Sequence, residues 1–317
     1  CYVGYQQIQN FSGSLNFFTE TYMWDSKQLS ALAAVAERGS FEAAAEALGI
    51  TASAVSQRVR ALEQEAGFPL LTRNRPCRPT AQGQKLLRYI RSATWLQEEL
   101  KSELDQTNQA FVWPIAVNHD SLDTWFLPVL AEIAQSEHVL PDIQADNEYH
   151  THKLMAEGLV MAAVSTRAEV MSGCEAKYLG SLQYKLLASP EFASRYFNAG
   201  VTSTQIKQAP LLVFNRKDDL LAEFLREHFK VNAKRCMSYY MPASIPYFQA
   251  ACLGLAYGLI PDWQSKEALA EGRLIDLLPG KTAQSDLYWH SWKVASPRLQ
   301  RLNDLVIEHA QRLLESH

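Results

Sequence analysis

Between Asp25 and Glu65 three helical patterns follow one another with only a glycine and a capping residue between them, and that spacing leaves little freedom in how they pack. Asp25 can cap a helix running to about Arg38, with Leu29, Leu32, Ala33, Val35 and Ala36 on its apolar side. Gly39 ends it, and Ser40 starts a short alanine-rich helix from Phe41 to Leu48. Gly49 then supplies the tight turn that lets a third helix cross the second closely. Thr51 is a natural N-cap for that helix, which is expected to run to about Glu65. Val55, Val59 and Leu62 recur at helical spacing and must face the core. The opposite face then presents Ala52, Ser53, Ser56, Gln57 and Arg60. A helix face of small, hydrogen-bonding and cationic residues fits a major groove. The same composition also describes a solvated face, so the order of events matters more: helix, turn, helix, then arginines.

Those arginines lie in Pro69 to Thr80, which reads as a short extended wing with proline-stiffened corners. Arg73, Arg75 and Arg78 fall within six residues, and guanidinium forks suit phosphate oxygens. The whole chain has 317 residues and a net charge of −4, a weak argument against nucleic acid. Locally the balance reverses, because Thr51 to Arg91 holds eight basic residues against Glu63 and Glu65. A basic module joined to an acidic remainder is the charge pattern of an anion binder attached to something else.

The run Phe41-x-x-Ala44-Ala45-x-x-Leu48-x-Ile50-Thr51-x-Ser53-Ala54-Val55-Ser56-x-x-Val59-x-x-Leu62-Glu63, followed by Leu70-Leu71-x-Arg73 and Thr80-x-x-Gly83, resembles the DNA-binding domain of LysR-type transcriptional regulators. Ala52 departs from the pattern, standing where that family often has a base-contacting glutamine. The resemblance implies a winged helix-turn-helix over 24–82 that binds double-stranded DNA through Thr51, Ala52, Ser53, Ser56, Gln57, Arg60, Arg73, Arg75 and Arg78. Residues 1–23 lack helical or strand periodicity and any secretory pattern, and are expected to be an unstructured extension.

Thr80 can cap a long helix over 80–105, with Leu86, Ile90, Ala93, Leu96, Leu100 and Leu104 in one stripe. A helix of about 25 residues spans roughly 37 Å and needs a partner for that stripe. Packing on the rest of the chain is the plain option; pairing with a second subunit is favoured, because dimers read two half-sites. The resemblance implies a homodimer, or a tetramer built from dimers, with RNA polymerase as a partner if the regulator activates.

From Phe111 short apolar strands alternate with helices, the ordering of an α/β domain with mainly parallel sheets. Ligands in such sheets bind beyond the carboxyl ends of strands. The resemblance implies a two-lobed effector domain over 111–317, similar to periplasmic binding proteins, with lobes at about 111–183 plus 287–317 and at about 184–286. Val117-Asn118-x-Asp120-Ser121-Leu122-x-Thr124-Trp125-x-Leu127-Pro128, Ala163-Val164-Ser165, Leu287-Tyr288-Trp289-His290 and Asp218-Asp219 are similar to the arginine- and lysine-responsive branch of the family, the arginine-exporter regulators. An effector of lysine or arginine is therefore expected, held by Asn118, Asp120, Ser121, Ser165, Thr166, Asp218, Asp219 and Ser244. A helix N-terminus at Ser121 can take a carboxylate, and the acidic residues can pair cations, though each is equally suited to plain helix capping.

Other classes find little support. No Gly-rich phosphate loop, G-x-S-x-G or H-E-x-x-H is present, so an enzyme is not expected. His150-x-His152 has the wrong spacing for a helical metal pair and reads as a surface turn. Five scattered cysteines without a C-x-x-C pair indicate reduced thiols in the cytoplasm, with Cys77, in its basic loop, the one open to activation. No cofactor is called for. A nucleoid-type DNA binder of little sequence preference remains an alternative, as does a solute-binding protein, which would have no use for the basic N-terminal module.

Overall fold

The computed structural model describes residues 24–104, 111–137, 139–146, 148–216, 219–293 and 296–315; the expected extension 1–23 and Asp218 lie outside them. The chain divides into two compact units, one ending at Thr94 and the other beginning at Trp95.

The first unit is built from local signals. Helix α1, Ser26–Arg38, starts where the Asp25 carboxylate accepts from the Lys27 amide at 2.6 Å, and stops at Gly39 with φ 73°. Helix α2, Phe41–Leu48, is capped by Ser40, whose Oγ accepts from the Ala43 amide at 3.1 Å. Thr51 caps α3, Ala52–Ala66, through the Ala54 amide at 3.2 Å. Leu32, Val35, Ala44, Val55, Val59 and Leu62 meet in one core. The wing between α3 and the next helix closes with one antiparallel bridge, Leu71 to Pro79. Cys77 is 7% exposed and belongs to this core, with its amide donating to the Gly39 carbonyl at 2.7 Å. The expected activatable loop thiol is therefore a packed apolar side chain, because the wing folds back over α1.

Helix α4, Ala81–Leu104, begins with Thr80 Oγ1 accepting from the Gly83 amide at 3.1 Å. A Cβ on Gly83 would stand 2.0 Å from the Leu70 carbonyl oxygen, so only glycine lets this helix lie against the wing. The single stripe expected for this helix divides along its length. Leu86 and Leu87 are buried in the DNA-binding core, whereas Leu96, Leu100 and Leu104 are exposed. From Trp95 onward the helix belongs to the second unit, where Trp95 packs against the hydrophobic core and Glu99 accepts from Ser296 Oγ at 2.5 Å.

The second unit is a curled sheet flanked by helices. Its first strands are β1 (Phe111–Asn118), β2 (Val139–Asp146), β3 (Ala162–Ser165) and β4 (Cys174–Ala188). Then come β5 (Leu211–Val213), β6 (Ser238–Tyr240), β7 (Gly258–Pro261), β8 (Ile275–Asp276) and β9 (Ala283–Trp292). The large sheet runs β2-β1-β3-β9-β4-β7 with β8 on β4, and β5 and β6 form a separate pair. Between β1 and β2 a continuous helical segment, α5, covers 119–137, widened into a π-turn over Leu122–Phe126. Helix α6, Glu148–Ala156, follows β2 and contains His150 and His152, which the spacing had assigned to a turn. Helices α7 (Pro190–Tyr196) and α8 (Ser203–Gln208) precede β5, and α9 (Asp219–Phe229) follows it. Helix α10 is Ser244–Cys252, α11 is Asp262–Ala270 and α12 is Pro297–Glu315.

Among the described strand pairs, the expectation of mainly parallel sheets holds for β1-β2, β1-β3 and β5-β6. The 15-residue β4 and the 10-residue β9 pair antiparallel with each other, and β3, β7 and β8 join them antiparallel. The cause is topological: β4 carries the chain out to the second lobe and β9 brings it back. A bulge between Tyr178 and Gly180 bends this crossover pair.

Candidate DNA interface and effector cleft

On the α3 face expected to meet DNA, Ser53, Gln57 and Arg60 are exposed and Ser56 is half-buried, while Val55, Val59 and Leu62 point inward. Thr51 is exposed, caps the helix, and shares a 3.0 Å hydrogen bond with Ser53 Oγ. Ala52 is half-buried against the core, where its methyl helps seat the first turn. The wing arginines are all exposed, but two have partners within the unit. Arg73 bonds Glu63 Oε2 at 3.2 Å, and Arg75 bonds Glu42 Oε1 at 3.3 Å. Glu63 does more than pair a charge: its Oε1 also accepts from the Leu70 and Leu71 amides at 2.9 and 3.3 Å. One carboxylate of α3 thus ties down both the backbone and the arginine of the wing. The sequence shows Glu63 as an ordinary helical acid, and nothing in its spacing reveals this tether.

In the second unit a cleft of about 700 Å³ opens beyond the carboxyl ends of β1, β3 and β5. Five expected effector residues line it: Asn118, Asp120, Thr166, Asp219 and Ser244. Ser121 and Ser165 are buried and do not line it. Ser165 Oγ accepts instead from the Arg167 amide at 3.2 Å. Ser121 Oγ is buried without a hydrogen-bond partner among the described residues.

Asn118 stands at the N-cap position of α5 yet makes no side-chain capping bond. Its Oδ1 is buried without a hydrogen-bond partner, an acceptor on the cleft wall that a donor must satisfy. Asp120 accepts from the Tyr184 hydroxyl at 2.9 Å and is also hydrogen-bonded by Ser244. It lies largely enclosed by protein, and this burial pushes its pKa above the usual carboxylate value despite those two donors. Nearby Asp123 adds to the rise, and His119 opposes it. The His119 and Phe214 rings lie 5.9 Å apart, and Phe214 is 6.4 Å from Tyr247, giving the cleft an aromatic wall. The remaining polar lining includes Arg167, Tyr184, Asn215, Arg216, Lys234 and Gln264, none of which carried a signal in the sequence. Among the described residues no three His, Cys, Asp or Glu side chains cluster as a metal site.

A helix-turn-helix with a polar, cationic recognition face, joined by a long helix to an α/β domain with a small-molecule cleft, defines a ligand-controlled transcription regulator. Residues 26–84 match the bacterial regulatory helix-turn-helix proteins of the lysR family, and residues 114–311 match the LysR substrate binding domain. The chain belongs to the LysR family, and it is a DNA-binding regulator rather than an enzyme. It is 37% identical over 289 residues to the HTH-type transcriptional regulator ArgP of Vibrio vulnificus, covering 90% of this chain and 97% of that one. Among solved structures, ArgP from Mycobacterium tuberculosis superposes with a TM-score of 0.82 at 36% identity, covering 91% of this chain and 98% of that one. Full-length LysG from Corynebacterium glutamicum with bound effector Arg gives a TM-score of 0.76 at 33% identity, covering 90% and 97%.

Proposed function

We propose that this regulator senses a basic amino acid, lysine or arginine, in the cleft between the lobes. The observation that carries the reading is the pair of acceptors at the end of β1: the unpartnered Asn118 Oδ1 and the enclosed Asp120 carboxylate. A buried acceptor beside an enclosed carboxyl group calls for a cationic donor, and an α-ammonium meets both. Asp219, also on the lining, serves the cation at the far end of the ligand, with Asp218 as its expected neighbour in sequence. The aromatic wall of His119, Phe214 and Tyr247 suits the methylene stem between the two charges. The similar LysG structure, which holds its effector Arg, supports the same class of ligand.

Calorimetry on the full chain with lysine, arginine, leucine and glutamate is the test. Lysine or arginine should bind, and leucine should be at least tenfold weaker because it leaves a carboxylate unpaired. Leucine binding as tightly as both would overturn the reading. On the DNA side, α3 is read as the major-groove helix, with Ser53, Ser56, Gln57 and Arg60 facing bases and Arg73, Arg75 and Arg78 facing phosphates. The exposed leucines of α4 (Leu96, Leu100 and Leu104) are read as the seam with a second subunit in the cytoplasm.

A further inference from the structure

Asn118, Asp120 and Asp219 would suffice for a basic amino acid's cations, but its α-carboxylate needs a donor close beside them. Ammonium and carboxylate hang from one carbon, so their partners must be neighbours. The β1–β3 register supplies the neighbour. The two strands are parallel with Ala116 opposite Ala163, so two residues on, Asn118 draws level with Ser165. The residues that follow, Asp120 from one strand and Thr166-Arg167 from the other, therefore emerge side by side, about 4.8 Å apart strand to strand. Both line the cleft.

The main chain of Arg167 is held at both its polar groups. Its amide donates to Ser165 Oγ at 3.2 Å, and its carbonyl accepts from His290 Nε2 at 2.7 Å. His290 is fully buried in β9, opposite Ala163 of β3 and Ala176 of β4, which anchors it in the middle of the sheet. A buried imidazole reaching out to the carbonyl of an exposed loop residue fixes where that loop stands. The other cationic candidates on the lining enter from the second lobe. Arg216 stacks over the Tyr240 ring at 4.8 Å, and Lys234 sits in the short turn Ala233–Arg235.

We propose that Arg167 reads the α-carboxylate of the effector and that His290 is a positioning residue that fixes the Arg167 main chain for this task. The inference rests on the basic amino-acid reading of the cleft. It also gives Ser165 a purpose different from direct effector contact: half of the clamp on Arg167.

The test compares L-arginine with agmatine, which keeps both cations and lacks the carboxylate, by calorimetry on the full chain. The wild type should prefer arginine by roughly 10- to 100-fold, the range of a charge-assisted hydrogen bond. Arg167→Ala should bring arginine down to the level of agmatine and leave agmatine unchanged. His290→Leu should shrink the same preference, and His290→Gln, whose amide can still donate to the carbonyl, should restore it. A purely structural His290 would lower the melting temperature and weaken both ligands by the same factor, overturning its positioning role. Equal binding of arginine and agmatine by the wild type, or an undiminished preference in Arg167→Ala, overturns the carboxylate assignment alone. Binding of neither ligand overturns the basic amino-acid reading and this proposal with it.

Discussion

Removing the Glu63 carboxylate should unseat the wing, and the size of the effect follows from what the carboxylate holds. Glu63 is 13% exposed at its side chain and accepts from the amides of Leu70 and Leu71, which are themselves buried. Glu63→Ala leaves two backbone donors unpaired in a place that water reaches poorly. Each such donor costs about 1–3 kcal/mol, so roughly 2–4 kcal/mol in all once partial hydration is allowed. In a unit of this size each kcal/mol moves the melting point by about 4–8 °C, so its transition should fall on the order of 10 °C or more. Arg73→Ala breaks the ion pair only. The Arg73 side chain is 58% exposed, and pairs of that kind contribute about 0–1 kcal/mol. Glu63→Gln keeps one carbonyl oxygen for the amides and should fall between the two. Thermal unfolding of the full chain, read alongside hydrogen exchange at the Leu70 and Leu71 amides, measures this ordering. If Arg73→Ala costs as much as Glu63→Ala, the ion pair holds the wing and the backbone-tether argument fails.

Asp120→Asn should weaken lysine or arginine by roughly 30-fold or more, the low end of breaking a buried charge pair, while Tyr184 and Ser244 keep an acceptor to bond. Because its folded pKa is raised, Asp120 stays protonated in the folded chain at pH values where the unfolded chain has lost that proton. Its contribution to stability therefore falls as pH rises through that window and remains a deficit above it, so Asp120→Asn should raise the neutral-pH melting point of the ligand-free protein. Effector affinity should run the opposite way and weaken as pH falls through the raised value, with proton release on binding visible in calorimetry across buffers of different ionisation heat. Gly83→Ala should destabilise the DNA-binding unit by about 1–3 kcal/mol or more, since the new Cβ meets the Leu70 carbonyl oxygen at 2.0 Å; an unchanged melting point contradicts the close approach. Gln57→Ala should lower the ratio of operator to random-DNA affinity by roughly 1–3 kcal/mol if Gln57 makes a bidentate base contact, whereas Arg78→Ala should weaken both and reduce the salt slope by about 0.9; equal losses for Gln57→Ala assign it to the backbone.

The local chemistry of the first unit was legible in the residues themselves. Caps at Asp25, Ser40 and Thr51, left-handed glycines at 39 and 49, and the spacing of Val55, Val59 and Leu62 act within one turn of where they stand, so reading along the chain suffices. The place of Asn118 and Asp120 on the cleft wall was legible in the same way, because a strand that ends where a helix begins puts its last residues at the sheet's edge without reference to other elements. Only the tertiary structure decided the rest. Glu63 became a tether because the wing starts back along α3, and Cys77 became core because the wing goes on to meet Gly39 at the end of α1. Tyr184, Ser244 and Arg167 come from three separate elements and share the cleft with Asp120 because β4 and β9 cross between lobes antiparallel. That pairing joins residues 105 positions apart, as between Ser181 and Asp286. The apolar face of α4 looked like one stripe because periodicity records which side is hydrophobic; what covers each part of it is set by elements far along the chain.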